Sequence, residues 1–235
     1  MERGKFLKTF ADKLSRQEII NYNARKNMAE NWRPQDVLKR INMLPELYYR
    51  AFAAISYLTG CRVSEVARIR GSDIETAFFE ESKKTGQKPY LRIYIRRVEK
   101  RRDNDGKICI TSFDNPIFKP FIDIIMEYLK KRKPGEDDFI FGDIKWKTKR
   151  EYIDNNLRYK VYRYFIKNGG FNPHLLRHAL ASYIAHSYKK DLGKKGEKIP
   201  YDTIDILQDR LGVKDKRSLE KYIRDLHDEE RAQIW

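Results

Sequence analysis

His174 and Arg177, an imidazole and a guanidinium three residues apart, stand at the start of a segment built to be a helix. Asn172 is a favoured N-cap, and Pro173 sits at the first helical position, where a missing N–H costs nothing. The spacing puts both polar groups on one helical face. Leu175, Leu176, Ala179, Leu180, Tyr183 and Ile184 offer a broad apolar surface on which to bury the helix. Two such groups beside a helix N-terminus are suited to holding an anion, phosphate above all. The same residues also fit a capped amphipathic helix with two polar groups facing water. A second guanidinium, Arg62, lies in a tight junction between two helical patterns, where it is either a plain surface arginine or a rigidly presented charge.

The elements that must position these groups follow from periodicity. Pro45 opens a helix over residues 46–59, in which Leu47, Phe52, Ile55 and Leu58 recur at helical spacing and Gly60 closes the run. A second helix is expected over 63–70, ending before Gly71. At Tyr90 the period changes: Leu91, Ile93 and Ile95 alternate with Arg92, Tyr94 and Arg96, the pattern of a half-buried strand. Asp103-Asn104-Asp105-Gly106 signals a turn, and 107–111 returns as the second strand of a hairpin. Its tip carries Arg96, Arg97, Lys100, Arg101, Arg102 and Lys107. A charged edge protects a sheet from aggregation, but five cations within residues 96–102 exceed that need and favour phosphate contact.

Further helices are expected over 120–132 and 152–167, separated by the basic stretch Lys145, Lys147, Lys149 and Arg150. Gly169-Gly170 end the second of these ahead of Asn172. A polar insertion over 189–198 reads as an exposed loop. A helix follows over 204–211 with Gly212 as its stop, and Ser218 caps a last helix carrying Leu219, Tyr222, Ile223 and Leu226. Residues 1–33 form a charged helical segment with little apolar material to fold alone. The architecture expected is mainly α with a small antiparallel hairpin, an α+β fold.

Composition narrows the partner. The 235 residues suit one large domain or one and a half. Fifty Lys+Arg against 34 Asp+Glu leave a net charge of +16, which fits nucleic acid better than a membrane surface. No apolar run approaches a membrane span, and the N-terminus lacks the apolar stretch of a secretion signal. Cys61 and Cys109 are the only cysteines and lack CxxC spacing, so neither a disulfide framework nor a zinc site is indicated. A reducing, intracellular, cytoplasmic setting is expected. The Lys, Arg, Glu, Ile and Tyr bias with scarce Gln leans toward a thermophile.

Three separated segments resemble, in order, the boxes of the tyrosine recombinase (phage-integrase-like) family. Thr59-Gly60-Cys61-Arg62-Val63-Ser64-Glu65 looks like its first arginine box. Pro173-His174-Leu175-Leu176-Arg177-His178 looks like its HxLRH box, and Leu211-Gly212 with Tyr222 ten residues on is similar to its terminal box. The resemblance covers roughly residues 34–230. It implies a tyrosine recombinase catalytic domain over 34–235, with 1–33 as an arm left from an N-terminal DNA-clamping domain. It further implies a site-specific recombinase or integrase that cleaves and rejoins DNA through a 3′-phosphotyrosyl link, without metal or cofactor. The expected origin is viral, plasmid or chromosomal, an archaeal virus or plasmid being one such source. The expected partner is double-stranded DNA, met by a monomer or weak dimer that becomes a homo-tetramer on paired sites.

By that resemblance Arg62 and Arg177 supply charge to the non-bridging oxygens, and Tyr222 is the nucleophile. A hairpin lysine, Lys100 in preference to Lys107, protonates the leaving oxygen. His174 assists proton transfer, Glu65 braces the site from behind, and His178 buttresses the helix. Arg96, Arg97, Arg101, Arg102, Lys107, Lys145, Lys147, Lys149 and Arg150 are expected to contact the DNA backbone. The sequence departs from the family at Val213, where a histidine or tryptophan is usual; Lys214 or Lys216 could take over that phosphate contact. The 189–198 insertion lengthens the interval from Arg177 to Tyr222, leaving open whether Tyr222 acts in its own site or a neighbour's. A type IB topoisomerase and a catalytically silent DNA-binding protein are the competing readings.

Overall fold

The computed structural model describes residues 32–77, 89–96, 106–142, 155–192 and 211. Helix α1, Pro34–Asn42, begins where the Arg33 N–H donates to Asp36 Oδ2 at 3.1 Å. Helix α2, Leu47–Thr59, is the axis of the fold. Every residue from Ala51 to Thr59 is buried, so the helix is covered on all sides. The buried Ser56 and Thr59 hydroxyls donate back to the carbonyls of Phe52 and Ile55 at 2.8 and 2.7 Å, which removes the penalty of hiding them. Around α2 pack α1, helix α4, Lys119–Arg132, and helix α6, His174–Leu192. Gly60 ends α2 in the left-handed region at φ 62°, a conformation glycine adopts without steric cost.

Helix α3, Val63–Val66, is shorter than the 63–70 expected from the sequence. Its end tightens, with Arg68 N–H donating to Glu65 O and Ile69 N–H to Val66 O. Arg70 then turns extended to bridge Phe139, and Gly71 presses so closely on the loop after α4 that a Cβ would clash with Gly135 O. Tertiary contact thus ends the helix. A 3₁₀ turn, Gly71–Asp73, leads into strand β1, Ile74–Ala77, an element the sequence pattern did not announce.

The sheet is antiparallel in the order β1-β2-β3, with β2 Tyr90–Ile95 and β3 Lys107–Ser112. Ile74 faces Ile93, Ile93 faces Cys109, and Ile95 faces Lys107. Leu91, Ile93 and Ile95 turn inward, matching the alternation read from β2. On β3 the polarity is inverted: Lys107, Cys109 and Thr111 are buried, whereas Ile108 and Ile110 are about half exposed at 53% and 50%.

Beyond α4, Ile140 and Phe141 are buried, and their carbonyls accept hydrogen bonds from the Tyr128 and Tyr48 hydroxyls at 2.6 and 2.7 Å. Helix α5, Asn155–Tyr164, continues as a π turn, Phe165–Gly169, and Gly170 closes it at φ 67°. Helix α6 starts one residue after Pro173 and runs through Leu192, so the first residues of the 189–198 insertion are helical, not loop. Its remainder lies outside the described residues, as do residues 1–31 and the segment containing Tyr222. Leu211, the first residue of the terminal box, is helical and buried.

Candidate active site

The C-terminal end of α2 gathers three of the cations. A helix C-terminus presents unpaired carbonyls and the negative end of the helix dipole, so cations are favoured there. Lys107 Nζ, arriving from β3, donates to Thr59 O at 2.8 Å. Arg177 Nη1, arriving from the first turns of α6, donates to Gly60 O at 2.6 Å. Arg62 follows two residues later, at the N-cap of α3. Both reaching side chains belong to buried residues, Lys107 at 3% exposure and Arg177 at 6%. Hiding a cation is costly unless it is paired or hydrogen-bonded, and the carbonyls offset part of that cost.

Glu65 fixes Arg62 in two ways. Its Oε2 accepts the Arg62 backbone N–H at 2.8 Å, and its Oε1 accepts from Nη1 at 3.0 Å. The Glu65 side chain is fully buried, whereas that of Arg62 is 23% exposed. The carboxylate thus anchors the guanidinium from behind and leaves part of it open to solvent. Thr59 Oγ1 also accepts the Cys61 N–H at 3.2 Å, so the turn from 59 to 62 is pinned along its length.

The local sequence explains α6. Asn172 Oδ1 accepts the His174 N–H at 2.9 Å, and Asn172 O accepts the Leu175 N–H, also at 2.9 Å. Phe171 is wholly buried, with its ring 5.2 Å from Phe165 and edge-on to Trp32 at 6.2 Å, which anchors the approach to the helix. Leu175, Leu176, Ala179 and Leu180 are buried as the apolar face required, at about 1.5–3 kcal/mol for each large side chain fully covered. His178 lies one turn beyond His174, the two rings edge to face at 5.0 Å.

Of the hairpin cations expected to contact the DNA backbone, Lys107 does not face outward, and Arg96 is partly engaged within the protein. Lys107 points into the interior, because it stands opposite Ile95, and paired residues in an antiparallel ladder share a face. Arg96 is half exposed at 51%, but its Nε donates to buried Asp73 at 2.5 Å and its Nη2 to Ser72 at 3.0 Å. The sequence pattern assigns no role to Asp73, and none to the Thr59 and Gly60 carbonyls as acceptors. Asp73 stands three residues after Arg70 and accepts its N–H, a helix-start spacing that would have marked it. Lys100, Arg97, Arg101, Arg102, Lys145, Lys147, Lys149, Arg150, Lys214, Lys216 and Tyr222 lie outside the described residues.

Burial pushes the Cys61 thiol up to about 12, with Lys107 acting in the opposite direction. The thiol therefore stays protonated at neutral pH and is no nucleophile. Among the described residues no group of three or more His, Cys, Asp or Glu could hold a metal ion, and no helix is long and apolar enough to cross a membrane.

No family model and no curated protein matches the sequence. Solved structures share the fold, among them two complexes of one recombinase. The chain is similar to the XerH site-specific recombinase bound to difH substrate in a pre-cleavage complex, at 18% identity and a TM-score of 0.53, over 87% of this chain and 52% of that one. It is likewise similar to XerH bound to palindromic difH in a post-cleavage complex, at 17% identity and a TM-score of 0.56, over 86% and 51%. The chain spans about half the length of these relatives. The fold, mostly helical with a small antiparallel sheet, matches tyrosine recombinase catalytic-domain structures.

Proposed function

We propose that this chain carries the catalytic domain of a site-specific DNA recombinase or integrase, which cleaves and rejoins strands without metal or cofactor. The observation that supports the reading is the convergence of Arg62, Arg177 and Lys107, from three separate elements, on the turn that ends α2. Two guanidiniums held in fixed places, Arg62 and Arg177, suit a reaction in which charge develops on phosphate oxygens, and Lys107 fixes the turn beside them.

In the proposed reaction the Tyr222 phenolic oxygen attacks the phosphorus of a DNA phosphodiester, and the bond to the 5′-oxygen breaks. The 3′-phosphate becomes esterified to tyrosine, and the departing 5′-oxygen takes a proton from Lys100. Arg62 and Arg177 neutralise the non-bridging oxygens, while His174 accepts the phenolic proton. Reversal by another 5′-hydroxyl rejoins the strands, so no external energy source is required. Arg96, Arg97, Arg101, Arg102 and the Lys145–Arg150 stretch hold the DNA backbone, contacts that position the duplex without reading it. The working assembly is a homo-tetramer on paired sites.

Val213 favours a second reading, a DNA-binding protein on the same scaffold that has lost catalysis. One experiment separates the two. Nicked duplexes with a randomised central sequence are incubated with the protein in excess chelator, and covalent adducts are isolated and mapped by mass. Adduct on Tyr222, lost in Tyr222→Phe while DNA affinity stays nearly intact, is the expected result. No adduct from the wild type would favour the silent binder. Adduct at normal yield in Tyr222→Phe would remove that tyrosine, and strict dependence on divalent ion would indicate a metallonuclease.

A further inference from the structure

Lys107 has a position that backbone binding does not require. It is the first residue of β3, immediately after the hairpin turn, yet it is only 3% exposed, and its Nζ ends 2.8 Å from the carbonyl of Thr59. That carbonyl belongs to the last residue of α2. The next carbonyl, on Gly60, accepts Arg177, and Arg62 follows on the same turn. Cys61 and Cys109, both buried, flank the same point, Cys109 Sγ lying 3.9 Å from Thr59 O. A leucine or methionine would fill this space without burying a charge. Lysine contributes instead N–H donors aimed at the negative end of α2.

We propose that Lys107 is a positioning residue that ties the basic hairpin to the arginine turn, so that the base of the hairpin and the backbone bearing Arg62 move as one unit. The proposal deepens the recombinase reading and rests on it for its catalytic consequence. Lys107 neither delivers the proton nor touches phosphate; it holds the turn in register with the hairpin that grips DNA. A displacement of about 1 Å at a reacting group can cost about a hundredfold in rate, so loosening this strut has a measurable effect far from any change in affinity.

The test compares the full chain with Lys107→Met, which keeps length and loses charge and donors, and with Lys107→Arg, which keeps both. The control is a core variant, Ile125→Val or Ile125→Ala, whichever matches the melting temperature of Lys107→Met. The first readout is the rate at which a thiol reagent modifies Cys61 in the folded protein, mapped by mass. Lys107→Met should react roughly tenfold or more faster than the control, as expected if the turn opens locally rather than with the whole domain. Equal reactivity would overturn the proposal, and this arm stands even if the wild type forms no DNA adduct.

The second readout is adduct formation at saturating protein on a duplex the wild type cleaves. Lys107→Met should be slower by about 10–100-fold with unchanged DNA affinity, and Lys107→Arg should recover most of the rate. The slowing should be equal on ordinary DNA and on a strand with sulfur in place of the bridging 5′-oxygen. Rescue on the sulfur strand would make Lys107 the general acid, and weaker affinity with an unchanged saturated rate would make it a phosphate contact. Either outcome overturns the positioning role. A wild type without adduct, combined with a reactive Cys61 in Lys107→Met, would overturn the recombinase reading alone.

Discussion

Replacing Glu65 tests how Arg62 is held. In Glu65→Gln the shape is kept, but one carboxylate oxygen becomes an NH₂ group. The amide oxygen can satisfy either the Arg62 N–H or Nη1, which the carboxylate bonds at 2.8 and 3.0 Å, and the NH₂ then faces the other donor. A hydrogen bond to a charged group contributes about 1.5–3 kcal/mol, and a buried donor left unpaired costs about 1–3 kcal/mol. Because the Arg62 side chain is 23% exposed, its guanidinium recovers part of this through water. The net loss should then be roughly 2–3 kcal/mol, below the ~3–5 kcal/mol of breaking a fully buried pair. For a domain of this size that corresponds to a fall of about 4–12 °C in melting temperature. Thermal unfolding followed by circular dichroism measures it. Single-turnover adduct formation, taken well below both midpoints, should slow by about 10–100-fold as the guanidinium loses its fixed orientation. A melting temperature within about 1 °C of the wild type would refute the claim that this carboxylate carries the turn. A large thermal shift with the wild-type cleavage rate would leave Glu65 important to the fold but not to the chemistry.

Two further substitutions probe other parts of the reasoning. Lys100→Ala should cleave ordinary DNA about 10²–10⁴-fold more slowly and be largely rescued by sulfur at the bridging 5′ position, whereas Arg177→Ala should not be rescued; equal slowing of Lys100→Ala on both strands would refute its role as the acid. Tyr57 is fully buried, its hydroxyl has no hydrogen-bond partner among the described residues, and burial drives its phenol strongly upward. Tyr57→Phe should therefore leave the melting temperature unchanged or raise it by about 2–4 °C, and a fall of that size would mean the hydroxyl is bonded after all.

What the sequence determined by itself is what short-range physics controls. The glycine after Thr59, the Asn172-Pro173 start of α6 and the alternation of Leu91, Ile93 and Ile95 each act within a few residues, and each appears where the pattern placed it. The association of Arg62 with Glu65 is local too, since three residues on a helix start bring carboxylate and backbone N–H together. Strand β1 escaped because Ile74–Ala77 is too short to show a period, and its partner β2 lies well along the chain. The end of α3 escaped for a related reason, since close contact between Gly71 and Gly135 stops it. The most consequential difference is Lys107. By hydrophobicity alone, Ile108 and Ile110 belong inside and the lysine outside. Pairing with Ile95 sets the opposite parity, and a one-residue change of register would turn every side chain of β3 over. Only the assembled fold brings the end of α2 beneath that strand, with carbonyls able to accept a buried lysine.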